Sequence, residues 1–293
     1  MPRLKTFYVG VLNIKIHPHS PEKYQKLFWQ TFNLKKRVNL RGNDFGMIGT
    51  CFRIDQKNEL AGYQGTIYKF FDLDPKSEWF NITRNEEATQ DEIESINIPE
   101  NLKPHSEKFM YLFIPQKHKI FVITNNENQK TMSINTVAKF FYDSFNVDIL
   151  TEKYGEVDVI VEQSRENLEN MLNVYRISTL NITLSRPNPD DLESQEDDIR
   201  RLLEDQNSKK MSQSLIAQNG LSITPNEITQ QLAKLATSNG SVEITGKDEN
   251  NETVVKSTVE HPFFESFKFD SKKDILINQF KSVANQILEK LKL

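Results

Sequence analysis

Runs of β-forming residues alternate irregularly with amphipathic helical stretches along this chain, and that order restricts its fold more than any other feature. Residues 6–16 are rich in β-branched and aromatic side chains and predict a strand. Ser20 and Pro21 then supply an N-cap and a first helical position. Further strands are predicted near 45–55, 62–72, 109–114, 120–123, 157–161, 177–184 and 263–269. Without a fixed-period repeat, this order predicts an α+β fold with mixed or antiparallel sheets flanked by helices.

The second half of the chain contains the clearest helical signals. Ser133 and Ser164 each precede a helical stretch, and Thr224 with Glu227 predicts a capped helix that ends at Gly240. A hairpin is predicted over 242–258, with its turn at 248–251. A long C-terminal amphipathic helix is predicted from about residue 271, with a continuous apolar stripe formed by Leu276, Phe280, Val283, Ile287 and Leu291.

A change in composition predicts a domain boundary. Residues 84–105 lack aromatic side chains, are rich in acids and contain Pro99 and Pro104, which is typical of a linker. A chain of 293 residues is long enough for two ordinary domains. We therefore expect an N-terminal α+β domain at 1–104 and a C-terminal α+β domain at 105–293.

Charge is distributed unevenly along the chain. Residues 1–60 contain eleven basic and four acidic residues, whereas 190–205, a predicted acidic helix, contains eight acidic and two basic residues. The net charge of the whole chain is −4, so no long-range field draws it to nucleic acid and any such site must be local. The single cysteine, Cys51, excludes an intrachain disulfide. No signal peptide or long apolar run is present, and we expect a soluble, cytoplasmic protein.

Motifs for nucleotide binding and hydrolysis are absent, and no cofactor or metal is predicted. His17 and His19 could offer two imidazoles to a metal, but the same pattern is typical of a strand end in solvent. An alternative is a divergent metal-dependent nuclease or toxin that uses Asp148, Asp158 and Glu162. Its pattern is incomplete, because Ser164 stands where a water-orienting lysine is expected.

Basic residues cluster in the first segment at Lys35, Lys36, Arg37, Arg41 and Arg53. Clustered Lys and Arg side chains neutralise phosphates and release counterions, which gives affinity without sequence specificity. The competing interpretation is a solvated helix end or a protein contact, since cations also complement the last turn of a helix. The five residues are our candidates for nucleic-acid binding.

The order of elements over 105–293 resembles an uncharacterised bacterial domain family of phage-defence neighbourhoods and, more distantly, the RexA-type phage-exclusion proteins. The most family-like stretches are LNITLSRPNPDD at 180–191 and SNG at 238–240. The resemblance implies a RexA-like fold, an anti-phage role, a homodimer, sequence-nonspecific binding of double-stranded DNA and a membrane-protein or other defence-system partner. Two features of this chain depart from the resemblance, the acidic segment 190–205 and the negative net charge. The acidic segment could act as a gate over the basic N-terminal segment.

Three functional hypotheses follow. The first is a non-enzymatic, abortive-infection-type protein that binds double-stranded DNA as a homodimer. The second is the nuclease or toxin described above. The third is a phage or plasmid accessory protein in which the basic segment contacts an acidic face of another subunit.

Overall fold

The protein is described from a computed structural model that covers residues 4–74, 77–188 and 194–291. The strands are β1 (Lys5–Lys15), β2 (Val38–Arg41), β3 (Asp44–Arg53), β4 (Tyr63–Phe71), β5 (Phe80–Asn81), β6 (Glu86–Glu87), β7 (Glu107–Ile114), β8 (Lys119–Ile123), β9 (Asp158–Val161), β10 (Arg176–Ser185), β11 (Lys210–Ile216), β12 (Gly240–Lys247), β13 (Thr253–Ser257) and β14 (Phe264–Phe269). The helices are α1 (Pro21–Leu34), α2 (Gln90–Glu94), α3 (Ile134–Phe145), α4 (Asp148–Tyr154), α5 (Arg165–Leu172), α6 (Ser194–Asp205), α7 (Glu227–Asn239) and α8 (Leu276–Leu291). The α+β prediction is confirmed.

An antiparallel sheet of eight strands forms the centre of the molecule, in the order β14-β1-β8-β7-β4-β3-β2 with β9 attached to β1. The first half of β1 pairs with β14 and its last four residues pair with β9, while β8 pairs with its middle. The strand predicted first from the sequence therefore has three partners. Its β-branched and aromatic side chains suit burial on both faces.

Helices cover this sheet on both faces. On one face α1, α3 and α4 pack on side chains that include Leu12, Tyr63 and Ile67. On the other face the apolar stripe of α8 packs on β1, β7, β8 and β14. The predicted C-terminal amphipathic helix is thus confirmed, although it begins at Leu276 rather than near 271.

A second antiparallel sheet, in the order β11-β10-β12-β13, packs against α5 and α7 around a third apolar core. The predicted hairpin over 242–258 is its β12–β13 pair. The boundary expected at residue 104 does not separate the two sheets, because β1 and β4 before it pair with β8 and β7 after it within one sheet. Residues 84–105 leave this sheet and return to it, and they carry only β6 and α2.

Local signals correctly placed most helix starts, with one correction. Ser20, Ser133 and Ser164 accept hydrogen bonds from backbone N–H groups three residues ahead, as N-caps do. The predicted cap at Thr224 is wrong, since Asn226 caps α7 by accepting from the Thr229 N–H. Gly240 ends α7 as predicted, and a Cβ there would lie 1.9 Å from the Thr183 carbonyl oxygen.

Stability should depend strongly on α8. Phe280 is fully buried between α8 and the sheet, so Phe280→Ala should lower the free energy of unfolding by about 3–5 kcal/mol through lost burial and a residual cavity. The measurement is urea unfolding followed by circular dichroism. Asn285→Ala, at an exposed position of the same helix, is the matched control. Equal midpoints for the two variants would contradict this packing.

Candidate nucleic-acid interface

The predicted basic residues begin where α1 ends. Lys35 is the C-cap of α1 in the left-handed conformation, with φ 48°, and this geometry turns the chain out of the helix toward β2. Lys36, Arg37 and Arg41 are exposed around β2, the last strand of the eight-stranded sheet. We call Lys35, Lys36, Arg37 and Arg41 the basic edge.

Most of the basic edge forms no ion pair with another described residue. Arg37 Nη1 lies 3.0 Å from Asp72 Oδ2, and this carboxylate also pairs with Lys103. Within the described residues, Lys35, Lys36 and Arg41 form no ion pair with any carboxylate. Their charges are therefore available to phosphate groups in solution.

Arg53, the fifth predicted residue, lies elsewhere. It occupies the far end of β3, nine residues beyond the β2–β3 turn, or about 30 Å at a usual strand rise. Its guanidinium pairs with the carboxylate of Glu59. The structure thus groups four of the five predicted phosphate ligands and separates Arg53 from them.

Most ion pairs of the acidic helix α6 lie within the helix itself, and Glu204 also lies 3.9 Å from Arg186. Arg200 pairs with Asp197 at 2.7 Å and with Glu204 at 2.6 Å, and Arg201 pairs with Asp197 at 2.6 Å. In the parts of the chain that the structure describes, no ion pair joins α6 to the basic edge. The gate hypothesis has no contact to support it, and residues 190–193 of the predicted acidic segment lie outside the described residues.

The residues of the nuclease hypothesis occupy three separate environments. Asp148 is exposed in the first turn of α4, and Asp158 begins β9 with its carboxylate 3.4 Å from Lys209 Nζ. Glu162 lies four residues later, about 13 Å along an extended chain, and it is fully buried. Across residues 4–74, 77–188 and 194–291, no group of three potential metal ligands forms.

Glu162 belongs instead to a buried set of polar groups between the two sheets. Its carboxylate pairs with Lys119 of β8 and accepts a 2.7 Å hydrogen bond from Ser238 Oγ at the end of α7. Asn13 Nδ2 donates to the Ser238 carbonyl at 3.0 Å, and Lys15 Nζ donates to Ser185 Oγ at 2.8 Å. We call Asn13, Lys15, Lys119, Glu162, Ser185 and Ser238 the polar junction.

Sequence reasoning missed the polar junction apart from Glu162. On a strand, polar residues that alternate with apolar ones predict a solvated face, and Asn13 and Lys15 fit that pattern. The structure buries both of them, at 2% and 1% exposure. No local signal identifies their partners at Ser185 and Ser238, which are more than 150 residues away in the sequence.

Comparison with known proteins places the chain in one family. The model of a domain of unknown function, DUF4747, matches residues 5–285. The chain belongs to the DUF4747 family. No curated protein matches it. None of the described helices of this DUF4747 protein has the length and apolar character needed to cross a bilayer.

The polar junction predicts a large effect at Glu162 of the DUF4747 protein. Glu162→Gln leaves the Lys119 ammonium buried without its counter-charge and should lower the free energy of unfolding by about 3–5 kcal/mol. Glu265→Gln breaks the exposed Lys290–Glu265 pair and should cost at most about 1 kcal/mol. Urea unfolding of both variants checks this. A loss of unfolding free energy in Glu162→Gln no larger than that in Glu265→Gln would contradict the structural role of Glu162.

A second prediction concerns His17, close to the polar junction. Burial, followed by the positive charges of Arg186, Lys15, His19 and Arg200, lowers its pKa from 6.5 to about 4. Between these values the unfolded chain binds more protons than the folded one, so stability falls as the pH is lowered from 6.5 towards 4.

His17→Gln should therefore weaken the pH dependence of stability in that interval. The measurement is urea unfolding at pH 7, 5.5 and 4.5, with His105→Gln at an exposed position as the control. An unchanged pH dependence in His17→Gln would overturn the prediction.

Proposed function

We propose that this DUF4747 protein is a non-enzymatic protein that binds double-stranded DNA without sequence specificity through its basic edge. The observation that carries the proposal is the exposure of Lys35, Lys36 and Arg41 on one sheet edge, without ion pairs among the described residues. Cations presented in this way contact phosphate oxygens and displace counterions, whereas recognition of a particular sequence needs contacts to base edges.

The exposed cations also have a purely structural explanation, and the experiment must distinguish it from DNA binding. Natural sheets place charged side chains, above all lysines, on edge strands to prevent pairing with other chains. β13 is one of the two edge strands of the second sheet and carries Lys256, which makes it a control for that explanation. A purely protective role predicts no difference between the two edges in DNA binding.

The homodimer, the anti-phage role and a membrane-protein or other defence partner are part of the same proposal. They rest on the resemblance to RexA-type proteins that the order of elements over residues 105–293 and the stretch at 180–191 suggested in the sequence. Light scattering coupled to size exclusion would test the dimer directly, with a mass of 34.1 kDa expected for the monomer.

The test of DNA binding is a salt titration of affinity for two unrelated 20-bp duplexes. The basic edge predicts equal affinity for both duplexes and a linear fall of log affinity with log salt. Triple alanine substitution of Lys35, Lys36 and Arg41 should reduce the slope by about 3, since each phosphate contact contributes about 0.9. Lys256→Ala should leave the slope unchanged. Equal slopes for the triple variant and the unchanged chain would refute the basic edge.

Two further arms decide between the other hypotheses. Arg53→Ala should not change the slope, because Arg53 is paired with Glu59 and remote from the edge. A denaturing gel after incubation with Mg²⁺ should show intact DNA. Magnesium-dependent fragments would favour the alternative, a metal-dependent nuclease or toxin, and no binding at all would favour the accessory-protein hypothesis.

A further inference from the structure

A groove of about 700 Å³ lies on the part of the eight-stranded sheet that α8 leaves uncovered. Along β3 and β4, Ile48 and Ile67 face the first core, so their neighbours Met47 and Tyr68 face the other side and line the groove. The groove volume lies within the usual range for small-molecule sites, about 300–1,000 Å³.

Tyr68 forms an aromatic surface in this groove because of a glycine. The β3–β4 register shifts between Ile48 and Thr50, which leaves Gly49 as a bulge, and the Tyr68 ring occupies the space above it. A Cβ at Gly49 would lie 2.1 Å from Tyr68 Cδ2. Lys108 Nζ lies over the ring, 5.3 Å from its centroid, so a base that stacks on Tyr68 must displace this lysine side chain.

Two cations lie at the rim of the same groove. Asp72 holds the side chains of Arg37 and Lys103, and with Glu100 also in the lining the groove carries two cations and two carboxylates. The Arg37 side chain is 52% exposed, so part of its planar set of donors remains open to a phosphate. Asn101 and Ser106 add polar groups to the lining, and Glu100 adds a negative charge.

We propose that the groove binds one nucleotide unit, with its base stacked on Tyr68 and its phosphate held by Arg37 and Lys103. An aromatic face beside cations is the combination that proteins use for single-stranded nucleic acids, because every base has a π-face that can stack. The inference rests on the proposed function in one respect, since Arg37 also belongs to the basic edge. The nucleotide comes either from a single strand or from solution, and the same chemistry serves both sources.

The experiment uses the full chain and a fluorescein-labelled 12-nucleotide oligothymidylate, followed by fluorescence anisotropy. Tyr68→Ala should weaken binding of this single strand about tenfold, whereas Tyr68→Phe should retain it, because stacking needs the ring and not the hydroxyl. Gly49→Ala displaces the ring and should weaken binding as well. Circular dichroism and thermal unfolding identify any variant that fails to fold, and Tyr68→Phe then carries the comparison together with Arg37→Ala.

Parallel titrations with the 20-bp duplex separate this inference from the proposed function. Duplex binding that depends on the basic edge, together with single-strand binding unaffected by Tyr68→Ala, would overturn the groove and leave the proposed function standing. Single-strand binding that requires Tyr68, without duplex binding, would support the groove and refute the proposed function. A chain that binds neither probe overturns both.

Competition with thymidine 5′-monophosphate identifies the source of the nucleotide. Displacement of the oligothymidylate from the unchanged chain, and weaker displacement from Arg37→Ala, supports a free nucleotide as the ligand. Retention of the oligothymidylate at saturating monophosphate, combined with dependence on Tyr68, supports a nucleotide within a strand.

Discussion

The buried ion pair between Lys119 and Glu162 is the constraint on which the arrangement of the two sheets depends. Lys119 begins β8 and Glu162 follows β9, so the pair joins the strands on either side of β1. Two charges removed from water must be fully partnered, and Ser238 supplies a further hydrogen bond to the carboxylate. Because Ser238 lies in the last turn of α7, two residues before β12 begins, this bond fixes the second sheet to the first.

The polar junction also determines which surfaces remain for function. It uses Glu162 and Lys15 for internal contacts, and the apolar cores occupy the faces beneath α1, α3 and α8. The uncovered parts of the main sheet include the edge at β2 and the outer face of β3 and β4. The basic edge and the groove lie at these two places and share Arg37, so one side of the molecule carries both proposed contacts.

Sequence reasoning succeeded where the signal is local and failed where it depends on distant pairing. The strand at β1, the caps at Ser20 and Ser133, the 242–258 hairpin and the α8 stripe all follow from residues that are near one another in the chain. The short edge strands β2 and β11 and the helix α4 were missed, because brief segments give weak periodicity. Four of the five basic candidates lie near one another because they fall within residues 35–41, between the end of α1 and the end of β2, whereas the extended β3 carries Arg53 away. The spacing of Asp158 and Glu162 in the sequence fits a nuclease pattern. In the structure, four residues of extended chain place their carboxylates too far apart to bind one metal ion.

The two proposed contacts differ in how they respond to salt, and this difference follows from the charge of the molecule. With a net charge of −4 the chain attracts nucleic acid only at short range, so phosphate contacts at the basic edge weaken steeply as salt screens them. Stacking on Tyr68 releases no counterions and persists at higher salt. A single strand bound at both the basic edge and the groove would keep part of its affinity at high salt. A duplex would lose its affinity there, because its bases are already stacked on one another and cannot stack on Tyr68. Preference for single strands should therefore grow with ionic strength, a consequence that neither surface would produce alone.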